Sequence, residues 1–209
     1  HISYWGRPHD YLWLGTFSPY LLHQQMKLAY DRGIQKMWVL NVGDIKPAEY
    51  QIELFLDMAW NIDEVNEIGV TAHLKSWLGR EFGSNCAEEL LPAMEAHYQL
   101  SYIRKPEFMG NTREEERDPK YKVIKDLPWS EQTISERLRS YTALSDVVER
   151  MESNIPADRQ DAYFQLVKYP VQAFRSCFGI LQYAEKYSPE ALERCCKDAV
   201  LAGKCNYSY

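Results

Sequence analysis

Hydrophobic positions fall into two different rhythms along the chain, and the change of rhythm divides it. HISYWGRPHDYLWL at the start is aromatic-rich and strand-like, broken by Gly6 and Pro8. Ser18-Pro19 then reads as a helix cap followed by proline at the first helical position, where the missing N–H has no partner to lose. Leu22, Met26, Ala29, Tyr30 and Gly33 recur at helical spacing, and Gly33 closes the helix. MWVLNV, residues 37–42, is a run of strand length that is apolar on both faces, as a parallel strand between helices is. A strand–helix–strand unit in so short a span predicts α/β architecture for the opening part.

Beyond the polar loop that follows, the helical period takes over. ELFLDMAWN is expected to be helical, and so are residues 70–82 and 84–104. GNTREEERDPKYK, residues 110–122, is charged and rich in breakers, so an exposed loop is expected there. Pro128 and Ser130 start a helix with the apolar stripe Ile134, Leu138, Tyr141, Leu144, Val148 and Met151. Pro156 opens a long helical stretch, and Pro170 predicts a kink or break within it. A last helix over 189–202 ends at Gly203. The predicted whole is mainly α: a small α/β part to about residue 65, then a helical bundle.

Composition narrows the function classes. The 209 residues suffice for a proper core, and 45% hydrophobic with 26% charged is an ordinary globular balance. The net charge is −6 and no basic stripe exists, so no nucleic-acid partner is expected. No run of about 18 apolar residues predicts a membrane span. The five cysteines include no C-x-x-C pair and are odd in number, so neither a zinc site nor a complete disulfide framework is expected. There is no Gly-rich phosphate loop and no G-x-S-x-G elbow, and no metal or cofactor is expected. His23, His73 and His97 fall on predicted helices as ordinary helix residues. Six Trp and 15 Tyr raise the aromatic share to 13%, which suits either a sugar-binding surface or a core of large residues.

Two clusters could carry chemistry. In NVGDIKPAEY, Asn41 ends the predicted strand, Gly43 permits a sharp turn, and Asp44, Lys46 and Glu49 follow on the loop. Functional groups of α/β folds collect at such strand ends, and an amide, a carboxylate and an ammonium suit a polyhydroxylated anionic ligand. The other reading is a solvated turn with Asp44 and Lys46 paired. In SYWGRPHDY, Tyr4 and Trp5 offer sugar-stacking rings and Arg7 a two-pronged carboxylate clamp. The other reading is an aromatic interface with Arg7 paired to Asp10.

Taken together, HISYWGRPHDYLWL, AYDRG, MWVLNVGDIKPAEY and FLDMAWN resemble glycoside hydrolase family 115, the xylan α-1,2-glucuronidases. DAYFQLVKYPVQA resembles the helical domain of that family, so the resemblance covers about residues 1–173. It implies a (β/α)8-like TIM barrel followed by a helical domain, with residues 1–65 the last part of the barrel and 66–173 the helical domain. It implies removal of (4-O-methyl)glucuronic acid side chains from xylan with inversion, which needs an acid, a base and a water held between base and sugar. By resemblance Asn41 contacts the sugar, Tyr4, Trp5 and Arg7 form the pocket-side aromatic-basic segment, and Asp44, Lys46 and Glu49 belong to the loop after Asn41. A family segment with adjacent aspartates would lie upstream of His1, so general acid and base are not assigned, and the chain alone is expected to be inactive on glucuronoxylan. The implied partners are glucuronoxylan or xylo-oligosaccharide, with a homodimer among the arrangements of the full-length enzyme, itself expected to be secreted or periplasmic.

The tail, residues 174–209, resembles the carboxyl-terminal region of IstA-type insertion-sequence transposases. Cys177, Cys195, Cys196 and Cys205 mark the same boundary. A foreign segment and an unusual tail on a diverged hydrolase both stand as readings. The functions to be separated are therefore a glycosidase fragment, a non-catalytic helical scaffold and a transposase-related fusion.

Overall fold

Ser18 opens the first helix by accepting a hydrogen bond from the Leu21 N–H, and Pro19 follows it as the first helical residue. The computed structural model describes residues 2–3, 15–42, 45–103, 130–184 and 186–204, and within them the protein is mainly helical. Helix α1 runs Pro19–Asp31, and Gly33 turns the chain away from it at φ 88°. Strands β1 (Ile2–Ser3) and β2 (Leu40–Asn41) flank α1 in sequence and pair in parallel, Ile2 with Leu40 and Ser3 with Asn41. A parallel pair requires a crossover, and α1 supplies it.

β2 is shorter than the apolar run that contains it, and only one face of that run is covered. Trp38, Leu40 and Val42 lean on a small core, whereas Met37 is 77% and Val39 46% exposed. The expectation of a strand buried on both sides is corrected here. The run reads as two-sided because its outward side chains are apolar too.

Helices α2 (Glu49–Trp60), α3 (Ile62–Phe82) and α4 (Ser84–Ile103) follow. α3 bends at Gly69, whose φ of 78° and ψ of 158° lie where only glycine sits without strain. Two cores meet near this bend. The first joins Leu22 and Met26 of α1 to Leu54, Phe55 and Met58 of α2 and to Ile62, Val65 and Val70 of α3. The second, larger core begins at Leu74, Trp77 and Leu78 and extends through α4, α5 (Glu131–Met151), α6 (Gln160–Tyr163) and α7 (Tyr169–Leu181).

α5 buries Ile134, Tyr141, Leu144, Val148 and Met151, with Leu138 packed at their edge, so its predicted stripe faces this core. Pro170 does not break the chain. A turn of π-helix over Phe164–Lys168 precedes it, and Pro170 falls in the first turn of α7. A proline removes one helical N–H and crowds the turn before it, and the wider π turn accommodates both. α7 runs unbroken through residue 174. Phe174 and Phe178 stack on Tyr141, with centroids 4.9 and 5.8 Å away and planes within 6° and 16°. Helix α8 (Pro189–Leu201), capped by Ser188, has no buried residue. The charged stretch 110–122 lies outside the described residues.

Candidate functional site

Because β1 and β2 are parallel and Ser3 sits beside Asn41, their carboxyl ends lie at one edge. The loop that carries Lys46 and Glu49 follows β2 from that edge. Tyr4, Trp5, Arg7 and Asp44 themselves lie outside the described residues. Asn41 ends β2 and is exposed, Lys46 is exposed in the turn before a cis Pro47, and Glu49 is the half-buried first residue of α2. Burial pushes the Glu49 carboxyl above its usual range, with Lys46 pulling against this and Glu81 adding to it. Its Oε2 is buried with no hydrogen-bond partner among the described residues.

The stretch that leads into α1 packs against the loop after β2. A Cβ at Gly15 would stand 3.1 Å from the Pro47 carbonyl oxygen, so glycine permits the close approach. Three side chains hold this stretch from behind. Gln51 of α2 donates from Nε2 to the Phe17 carbonyl at 3.1 Å, and Ser101 of α4 reaches the Thr16 carbonyl at 3.5 Å. His97 of α4 lies 3.3 Å through Nε2 from the Gly15 carbonyl. A carbonyl only accepts, so Nε2 carries the proton, and the buried Nδ1 has no hydrogen-bond partner among the described residues. Desolvation pushes the His97 pKa down to about 4, so the ring is neutral. None of these three residues stands out as functional in the sequence. The available signal is positional: His97 and Ser101 continue the buried stripe Leu90, Met94 of α4, where a polar residue needs a partner.

A second polar cluster lies on the outer side of α2 and α3. Glu53 and Asp57, one turn apart, meet His73, with one ligand-type atom of each within 4.8 Å of the others. His73 Nε2 is 3.0 Å from Asp57 Oδ2, and the Arg80 guanidinium holds both Glu53 oxygens at 2.5 and 2.7 Å. The three residues have the donor types of a divalent-cation site, but Arg80 already occupies Glu53. The cluster is therefore an ion-paired network lining a groove of about 320 Å³ whose rim carries Trp60.

Comparison with known proteins decides the family. The profile of glycosyl hydrolase family 115 matches residues 1–108, more than half of the chain. The chain belongs to glycosyl hydrolase family 115. Comparison with curated proteins gives no match. Among solved structures this family 115 chain is similar to BtGH115A, a 4-O-methyl-α-glucuronidase with specificity for decorated arabinogalactans. The identity is 61%, the TM-score 0.80, and the match covers 97% of this chain and 27% of that one. The chain thus spans about a quarter of the length of that enzyme. Coverage of 97% also carries the match past residue 174 and through most of the tail. The segment with the transposase resemblance therefore aligns with a glucuronidase, inside a helix that the boundary would cut.

Proposed function

We propose that this family 115 chain forms part of an inverting α-glucuronidase that removes glucuronic acid or 4-O-methylglucuronic acid side chains from a plant polysaccharide. The observation that carries the reading is the parallel pairing of Ser3 with Asn41, which sets the carboxyl ends of both strands at one edge. β1 and β2 are then late strands of a (β/α)8-like barrel, whose functional groups gather at the carboxyl ends of strands. The apolar, exposed Met37 and Val39 suit a strand with more sheet or helix against its outer face. The helices after Gly69, with their own core, are the helical domain.

In this reading Asn41 hydrogen-bonds the sugar, Lys46 and Arg7 receive the uronate carboxylate, and Tyr4 and Trp5 stack on the ring. Asp44 and Glu49 complete the loop. Inversion needs two carboxyl groups roughly 6.5–9.5 Å apart with water between one of them and the sugar. Neither is assigned in this chain, which alone is expected to bind glucuronic acid without releasing it from polymer. The similar enzyme acts on decorated arabinogalactans, while the family resemblance implies xylan. Both polymers present the same acid to the strand-edge site, and the main chain distinguishes them. Such substrates are met outside the cytoplasm, which supports a secreted or periplasmic enzyme.

Glucuronic acid titrated against tryptophan fluorescence tests the reading. A saturable change is expected, weakened about tenfold or more in Asn41→Ala, since one lost hydrogen bond to a bound ligand is worth about 1.4 kcal/mol or more. No saturable response in the unaltered chain would instead favour a helical scaffold without a sugar site.

A further inference from the structure

A second groove, of about 660 Å³, opens where the first turns of α1 face the carboxyl-terminal half of α4. Its walls carry three tyrosines (Tyr20, Tyr98 and Tyr102), two glutamines (Gln24 and Gln99) and the carboxylate of Glu95. Tyr20 is 38% and Tyr102 47% exposed, whereas Tyr98 is buried and forms the floor. The Tyr20 hydroxyl donates to Glu95 Oε1, and the Thr71 hydroxyl donates to the same oxygen at 2.8 Å. Tyr20 is thus fixed between α1, α3 and α4. Burial and Glu95 together push its ionisation up to about 12, so it stays a hydrogen-bond donor. A ring held in place before the ligand arrives loses little freedom on binding.

The floor of the groove is tied to the stretch that packs on the loop after β2. Gln51 donates to the Phe17 carbonyl and lies 3.4 Å from the Tyr98 hydroxyl, so one side chain joins the groove floor to the stretch packed on Pro47. Ser18, the cap of α1, lines the groove at the same end.

We infer that this groove binds the neutral main chain of the polysaccharide whose uronic acid side chain enters the strand-edge site, an inference that rests on the function proposed above. Pyranose faces are apolar and pack on aromatic rings, here Tyr20 and Tyr102. Sugar hydroxyls both donate and accept, and the amides of Gln24 and Gln99 offer both functions. The Glu95 carboxylate accepts from hydroxyls and repels a uronate, so the groove favours neutral units over the acid. A decorated polymer then binds through two chemistries at once, its acid at the strand edge and its backbone in the groove.

Calorimetric titration of the 209-residue chain with xylohexaose, β-1,6-galactohexaose, hexagalacturonate and glucuronic acid tests this. At least one neutral hexaose is expected to bind saturably, and hexagalacturonate more weakly. Gln99→Ala combined with Tyr102→Ala is expected to weaken hexaose binding about tenfold or more, with glucuronic acid affinity unchanged. Asn41→Ala is expected to do the reverse. Both groove positions are exposed, and an unshifted melting curve, with Gln99→Ala alone as the milder variant, confirms an intact fold. Neutral hexaoses that fail to bind, or that bind the double variant as well as the parent, overturn the groove. Equal binding of hexagalacturonate overturns its preference for neutral units. Hexaose binding that persists while glucuronic acid never binds supports the groove and removes the strand-edge reading instead.

Discussion

His97 is a buried, neutral ring against the Gly15 carbonyl, and its charge state links the stretch before α1 to pH. In the unfolded chain its ring titrates near 6.5, and in the fold at about 4, because desolvation disfavours the imidazolium. Between these values the unfolded state takes up a proton that the folded state refuses. Stability therefore falls as pH drops from about 6.5 toward 4, is level below that window and is indifferent to this group above it. The contribution is on the order of 3 kcal/mol. Urea unfolding at pH 7, 5.5 and 4.5 is expected to show this slope, and His97→Gln is expected to flatten it. An equal slope in parent and variant would assign the effect to other groups. Asn41 is legible in the sequence because it ends an apolar run and meets a cluster of polar neighbours. His97, Gln51 and Ser101 are not, because their roles come from facing the Gly15–Phe17 carbonyls across long sequence separations. The abundance of tyrosine suits a sugar surface and a core of large residues alike, and does not say which of the 15 converge. Tyr20, Tyr98 and Tyr102 meet only when α1 docks on α4.

The helices are the most legible elements, since their caps and stripes are local. Ser18, Ser130 and Ser188 each accept from a backbone N–H at a helix start, and each is readable as a serine just before or beside helix-opening residues. What local pattern hides is the charged residue that completes a stripe. Arg137 is buried on α5, where its guanidinium donates to the Leu100 carbonyl at 3.0 and 2.9 Å and lies 5.4 Å from the Phe178 ring centre. The last carbonyls of a helix have no partners within it and carry its negative end, so a cation there is doubly favourable. Arg137→Ala removes both bonds and the ring contact and is expected to cost about 2–4 kcal/mol. Arg137→Lys should recover only part of that, because an ammonium lacks the flat fork that donates twice. Denaturant midpoints of the three proteins check this, and a loss under about 0.5 kcal/mol in the alanine variant, the range of ordinary surface changes, would mean that Leu100 finds another donor.

At the scale of the whole molecule, the mainly helical character is legible in the sequence, whereas the packing that ties the tail to the body is not. Composition changes near residue 174 because cysteines cluster there, yet the core continues across it. Phe174 is 7% and Phe178 1% exposed, both against Tyr141, and α8 beyond them buries nothing. These facts predict opposite outcomes for two truncations. A chain ending at Ala184 keeps α7 and both rings, so its melting transition should stay within a few degrees of the parent. A chain ending at Ala173 loses two core phenylalanines, each worth about 3–5 kcal/mol. Their combined loss is comparable to the roughly 5–15 kcal/mol that holds a domain together. It is therefore expected to lose cooperative melting by circular dichroism and to expose Tyr141 and Val148 to solvent. If instead the Ala173 chain melts like the parent, residue 174 is a true structural boundary, and the stacking of α7 on α5 does not hold the bundle together.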